Sequence, residues 1–314
     1  MANKVKLPRT LLEFVTARPG ARWQAIRSEA SRRRFYRLRL GKTSIVAMVY
    51  PEPAPGDVER FLAVHDLFRK SGLRVPRIHD VLDDQVVLQE DAGDLLLQKA
   101  WRQGGAGQRL RLLNECREIL RKLAAVPPGL AVSRLDQARQ KWEMDFFLSH
   151  FFPRFRVRPW RADDLRVELQ RLVETLAPAD TFAHRDFHSR NLLVLGREIV
   201  IVDFQDSLLA PRYYDLVSLA FDSYLDLGMS RGRLFLNLAA SSDDRELRQV
   251  RLTALQRNIK ALGTFAYQTY ANNHPAYARY IPRTLRHVQS HLQVLRDPEL
   301  QVLSRYFSSV TRNA

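Results

Sequence analysis

The chain has 314 residues, of which 46% are hydrophobic and 27% charged, a globular composition that allows one large domain or two lobes around a substantial core. No stretch approaches the ~20 apolar residues of a membrane span, residues 1–15 lack the apolar core of a secretory signal, and a single cysteine, Cys116, excludes an internal disulfide framework and fits a cytoplasmic protein. The net charge of +16 would suit nucleic acid, but the arginines are dispersed and only Arg32, Arg33 and Arg34 cluster, so no nucleic-acid and no membrane partner is expected, and an arginine-rich surface or an anionic small molecule accounts for the charge.

Residues 7–18 read as a short leading helix. Two strand-like runs follow, 34–40 and 43–50, joined by Gly41-Lys42, a two-residue turn that opens with glycine. Residues 51–56 break the sheet. Asp57 then caps a helix through about Lys70, with Val58, Phe61, Leu62, Val64, Leu67 and Phe68 at helical spacing. A further hairpin, 77–81 with 85–89, turns over Asp83-Asp84. From Leu95 the pattern is helical: 95–102, 107–125, 133–151 and 162–177, punctuated by Gly104-Gly105, Pro127-Pro128 and Pro153 to Pro159. After a central polar–apolar–polar stretch come helices at 211–227, 243–270, 275–294 and 297–308.

The central stretch, 184–206, reads His-Arg-Asp-Phe-His-Ser-Arg-Asn-Leu-Leu-Val-Leu-Gly-Arg-Glu-Ile-Val-Ile-Val-Asp-Phe-Gln-Asp. Its apolar part splits at Gly196-Arg197 into two short strands, 192–195 and 198–202. A hairpin returns its far end to its start, so Asp203 is expected beside Asn191, with Asp186 in the loop before. Asp203 and Asn191 offer hard oxygen ligands suited to Mg²⁺ held between protein and phosphates. Asp186 is free to accept a proton from a hydroxyl. These are the parts that phosphoryl transfer needs. His184, Asp186 and His188 also have the spacing of a zinc site on an extended segment, a reading that leaves Asn191 and Asp203 unexplained.

Asp-x4-Asn followed by Asp-Phe after one hairpin resembles the catalytic loop and metal aspartate of the protein-kinase-like fold. Further stretches narrow the resemblance: 31–37 (Ser-Arg-Arg-Arg-Phe-Tyr-Arg), 88–94 (Leu-Gln-Glu-Asp-Ala-Gly-Asp), 203–206 (Asp-Phe-Gln-Asp), 214–219 (Tyr-Asp-Leu-Val-Ser-Leu), 260–265 (Lys-Ala-Leu-Gly-Thr-Phe) and 280–283 (Tyr-Ile-Pro-Arg). Together they resemble the aminoglycoside phosphotransferase superfamily, and within it the anomeric N-acetylmuramate/N-acetylglucosamine kinases.

The resemblance implies an α+β, bilobal protein-kinase-like fold, with a small antiparallel-sheet N-lobe over 1–91 and a larger, mainly helical C-lobe over 92–314. It implies ATP and Mg²⁺ as cofactors and an N-acetylated amino sugar as small-molecule substrate. Asp186 would be the catalytic base. His188 stands where protein kinases place a phosphate-contacting lysine. Asn191 and Asp203 would ligate the metal. Ser28, Ser31 and Arg33 would lie over the nucleotide phosphates, and Gln89, Glu90 and Asp91 would form the hinge, whose backbone meets adenine. Asp206 would reach a sugar hydroxyl or brace its turn, and Asp215 would hold the catalytic loop. Arg283 would pair with a substrate carboxylate.

The sequence departs from the kinase pattern at its third strand, where 44–50 contain no lysine. Phosphate neutralisation then falls to Mg²⁺ and an arginine of the 32–34 cluster. Rival readings are an aminoglycoside or amino-alcohol phosphotransferase and a non-catalytic kinase-shaped protein. Residues 241–314 carry many arginines and few acids, the latter placed mostly at helix starts, an arrangement that favours a neutral or anionic acceptor over a polycation.

Overall fold

The computed structural model describes residues 7–26, 32–127, 133–235 and 243–313. The chain forms two compact units, the first running through Leu95 and including Leu193–Gln205, the second formed by Leu96–Leu192 and Asp206–Ala314. The division falls at 95/96, where the sequence suggested 91/92, and most of the central hairpin belongs to the smaller unit. Its backbone explains why: Val194 N–H donates to Leu95 C=O at 2.7 Å and Ile201 N–H to Arg74 C=O at 2.8 Å. Arg74 also pairs with Glu198 at 3.2 Å.

The first unit is built on a five-stranded antiparallel sheet in the order β1 (Arg22–Ile26), β2 (Arg34–Leu40), β3 (Thr43–Val49), β5 (Val86–Glu90), β4 (Ile78–Leu82). The period-2 rule is visible in what each strand buries: Tyr36 and Leu38, Ala47 and Val49, Val86 and Leu88 meet Leu11 and Val15 of α1 (Arg9–Thr16) in one core. Helix α2 (Pro55–Lys70) buries Val58, Phe61, Val64 and Phe68. The β4–β5 turn places Asp83 and Asp84 at φ +46° and +47°, the pair of left-handed residues a tight hairpin demands, and aspartate tolerates it better than most residues. Strand β1 has no counterpart in the sequence reading. It is an edge strand whose first four residues are exposed, so burial leaves no alternating signature on it.

The second unit is mainly helical: α3 (Leu97–Gln103), α4 (Ala106–Ala124), α5 (Gln137–His150), α6 (Ala162–Thr175), α7 (Tyr214–Ala220), α8 (Arg231–Leu234), α9 (Asp244–Ala266), α10 (Ile281–Leu295) and α11 (Gln301–Asn313). One extensive core in it joins α5, α6, α9, α10 and α11. Helix α9 is buried on nearly every side between Val250 and Ala266, the pattern of a central helix rather than a surface one. Short strands β6 (Thr181–Ala183) and β9 (Leu208–Ala210) pair antiparallel here, whereas β7 (Leu192–Leu195) and β8 (Glu198–Ile201) pair as the central hairpin, which lies mostly in the first unit. Helix α7 ends at Ala220, short of the expected 227. The Asp222 side chain accepts the N–H of Tyr224 at 2.7 Å and that of Ser189 at 2.8 Å, bonds that compete with helix continuation. Among the described residues no helix is long and apolar enough to cross a membrane.

Candidate active site

The loop 184–191 leaves β6 in the second unit and is tied down mainly through its backbone. Asp215, in the first turn of α7, accepts the N–H of His184 at 2.6 Å and of Arg185 at 3.1 Å. Those bonds hold Arg185 at φ +76°, a conformation unfavourable for a long side chain unless its surroundings impose it. The bracing role expected of Asp215 is thus realised. Burial pushes its carboxyl up to about 6, against the His184 and Arg185 donors that favour the charged form. Asp222 ties the loop a second time, at Ser189 N–H. Within the loop, Asn191 donates its side-chain N–H to Asp186 C=O at 3.0 Å, which leaves the amide oxygen for other partners.

The carboxylate of Asp186 is 38% exposed, whereas Asp215, Asp222 and Glu143 are buried. Burial works to raise its pKa, but Lys260, His188, Arg185 and Arg257 outweigh that effect and hold it well below the usual carboxylate range. Lys260, from α9, lies 3.5 Å from Asp186 Oδ1 and 3.9 Å from Glu143 Oε1. Glu143, from α5, also accepts from Arg185 at 3.3 Å and from Gln256 at 2.9 Å. His188 sits edge-on to Tyr224 at 4.8 Å. Burial, reinforced by the positive charges of Arg257 and Arg190, lowers its pKa to about 3 although Asp186 acts the other way. The imidazole is therefore neutral at physiological pH and does not duplicate a phosphate-binding lysine. Among the described residues no group of three or more His, Cys, Asp and Glu is arranged to hold a metal, so the zinc reading of 184–188 finds no ligand cluster.

Next to the loop, Tyr224 packs edge-on against Tyr280 at 4.6 Å. The Arg190 guanidinium lies over the Tyr224 ring at 5.0 Å, and Arg279 donates to the Tyr280 hydroxyl at 2.6 Å. Arg283 turns elsewhere: it donates to Ser223 C=O at 3.3 Å and lies near Asp226. Asp206 is exposed in the turn that leads to β9.

In the first unit, Asp203 adopts φ +63° and is anchored by its neighbour. Phe204 is buried against Phe61 and Phe68 of α2, with ring centroids 5.0 and 5.3 Å apart. Apolar packing of the phenylalanine thereby fixes the adjacent carboxylate, which is 47% exposed and pairs with Arg33 at 2.8 Å. Ser28 and Ser31 lie outside the described residues. The hinge carboxylates are engaged in structural pairs. Glu90 binds Arg74 at 2.5 Å and the Arg77 N–H at 3.0 Å, and its pKa falls to about 2 chiefly through Arg74. Asp91 takes Arg37 at 2.7 Å and Ser44 at 2.6 Å. Gln89 is buried and pairs with Val46 and Ile78 in the sheet.

Sequence reasoning gave no role to Lys260, Glu143, Asp222, Arg190 or Tyr224. Lys260 had a signal, the Lys-x-Leu-Gly-x-Phe stretch, whose glycine the structure explains. A Cβ on Gly263 would lie 2.8 Å from Phe147 Cα and 3.0 Å from its N, so α5 and α9 cross in van der Waals contact there. Glu143 and Lys260 sit one turn earlier on the same two helices. Glu143 had none, because an acid in a helical run reads as a surface residue.

The chain matches the phosphotransferase enzyme family over residues 22–252; it belongs to that family and is a phosphotransferase. It is 27% identical to an N-acetylmuramate/N-acetylglucosamine kinase of Pseudomonas aeruginosa, over 91% of this chain and 88% of that protein. A protein of the same name from Neisseria meningitidis serogroup B is also 27% identical, with 83% of each chain covered. Among solved structures, the ADP-bound aminoglycoside phosphotransferase APH(2'')-Ib superposes with a TM-score of 0.60 at 14% identity, covering 90% of this chain and 98% of that one. The fold is protein-kinase-like, with an antiparallel sheet in the N-terminal unit and a larger helical C-terminal unit.

Proposed function

We propose that the protein is an ATP- and Mg²⁺-dependent kinase that phosphorylates the anomeric hydroxyl of an N-acetylated amino sugar, N-acetylglucosamine or N-acetylmuramate. The observation that carries this reading is the placing of Asp186: a carboxylate 38% exposed, beside Lys260, on a loop whose other acidic neighbours are buried and occupied. The names of the relatives similar over most of the chain support the choice of sugar.

In this reading the acceptor hydroxyl hydrogen-bonds to Asp186. Its oxygen bonds to the γ-phosphorus, the bond from that phosphorus to the bridging oxygen breaks, ADP departs with the electron pair, and the hydroxyl proton passes to Asp186. A carboxylate this acidic is a weak base. It suits a loose transition state, in which the nucleophile is oriented early and loses its proton late.

The residues fit the implied metal in their donor chemistry, a carboxylate from Asp203 and an amide oxygen from Asn191, both hard ligands. Mg²⁺ would supply charge neutralisation for the phosphates. Arg33, already drawn to the Asp203 carboxylate, takes the cationic part that the third strand lacks. Arg190 and Arg279 replace Arg283 as partners for an anionic substituent, because Arg283 is turned to Ser223 and Asp226.

The test is ADP release by the wild-type protein with N-acetylglucosamine, N-acetylmuramate, kanamycin and ethanolamine under identical salt. The expected result is turnover of an N-acetyl sugar and none of kanamycin. An aminoglycoside or amino alcohol used with a higher kcat/KM than both sugars would refute the substrate assignment.

A further inference from the structure

We infer that Lys260 is the positioning residue of the catalytic carboxylate, aiming Asp186 through a direct ion pair reached from the central helix of the second unit. The inference rests on the reading of Asp186 as the acceptor-side carboxylate, but not on which alcohol is the acceptor.

Three observations converge on it. First, among the described residues Lys260 is the one cation at ion-pair distance from the Asp186 carboxylate, 3.5 Å from Oδ1. None of the loop's ties to Asp215, Asp222 and Asn191 uses the Asp186 side chain, so they place the Asp186 main chain and leave its side chain to Lys260. Second, Lys260 is not needed as a counter-ion for Glu143. That carboxylate already receives Arg185 at 3.3 Å and Gln256 at 2.9 Å, and Lys260 stands farther away at 3.9 Å. Third, the position of Lys260 is set by a helix crossing that tolerates no side chain at Gly263, one turn along. A contact this tight fixes where the lysine stem begins, and the residual freedom of the stem is limited by its burial, with only 18% of the side chain exposed.

The chemical need is plain from what surrounds the loop. Among the loop's own neighbours in sequence, none at ion-pair distance holds the Asp186 carboxylate, and Lys260 supplies that partner from 74 residues away. Placing the ammonium on Asp186 confines the carboxylate to one orientation toward the acceptor hydroxyl, and misplacement of a reacting group by about 1 Å costs on the order of 10² in rate.

The experiment compares K260M, K260R, D186N, K260M/D186N and K260M/E143Q, using whichever acceptor the wild type turns over best. The readouts are kcat, KM for ATP and Tm. K260M is expected to lose about 10²-fold in kcat with KM for ATP and Tm unchanged. K260R is expected to recover most of that loss. Because Lys260 acts through Asp186, K260M/D186N should be no slower than D186N alone. Should K260M fail to accumulate as folded protein, K260Q, polar but uncharged, carries the same expectations. Wild-type kcat in K260M overturns the inference. So does restoration of kcat in K260M/E143Q, which would make Lys260 a structural counter-ion of Glu143. If D186N itself keeps wild-type kcat, the assignment of Asp186 falls, and that outcome is distinct from a failure of Lys260 alone.

Discussion

Asp215→Asn separates two consequences that usually arrive together, loss of stability and loss of activity. The Asp215 carboxylate is 6% exposed and accepts two backbone N–H groups, at 2.6 and 3.1 Å. Its pKa is nevertheless raised from 3.8 to about 6, because burial outweighs the donors. At 1.36 kcal/mol per pH unit, that difference means the ionised group costs about 3 kcal/mol at neutral pH relative to the unfolded chain. Asparagine removes this cost but can accept only one of the two N–H groups, and an orphaned buried donor costs about 1–3 kcal/mol. The two effects oppose, so at pH 7 the variant should unfold within about 2 kcal/mol of the wild type. The pH profile should differ. The folded pKa lies above the unfolded one, so the contribution of Asp215 is fully present below 3.8 and is lost as pH rises through about 6. Relative to the variant, the wild type should therefore gain about 2 kcal/mol between pH 7 and pH 4.5. Activity should respond independently of stability. Arg185 is held in a left-handed conformation by one of the two bonds, and relaxing it displaces Asp186 next door, for a kcat loss of about 10². Denaturant unfolding at both pH values and kcat at neutral pH measure the two effects. Parallel stability profiles for wild type and variant would refute the buried titration, and an unchanged kcat would refute the brace.

Two further substitutions probe the other ends of the argument. Asp203→Ala should abolish both activity and its Mg²⁺ dependence, since it removes a hard oxygen ligand and leaves Arg33 without its carboxylate; wild-type turnover at ordinary Mg²⁺ would exclude Asp203 as the metal residue. Gly263→Ala should force α5 and α9 apart, because the new Cβ would meet Phe147 backbone at 2.8 Å; the expected cost is about 1–3 kcal/mol, read as a lower Tm with a lower kcat, and an unchanged Tm would show that the crossing is looser than described.

The sequence by itself determined the order of elements and the chemistry-bearing loop, because both are local. Two glycine-opened turns, at Gly41 and Gly196, adopt the positive φ that such hairpins need, +62° and +61°. The Asp-x4-Asn and Asp-Phe spacings rest on contacts a few residues long. The bracing role of Asp215 was also legible, since a carboxylate in the first turn of a buried helix has few other uses. Elements without a local signature escaped: β1 is an exposed edge, and β6 and β9 are three residues each and exist through their mutual pairing. Tertiary structure alone decided what surrounds Asp186. Lys260 and Glu143 are separated from it by 74 and 43 residues, and they meet only because a glycine lets two helices touch. Tertiary structure also decided the partners of charges whose role sequence left open. Glu90 and Asp91 are taken up by Arg74 and Arg37 within the sheet unit, and burial strips His188 of its proton. Sequence names a group's chemistry, but its protonation and its partner are set by distance and dielectric, which belong to the folded molecule.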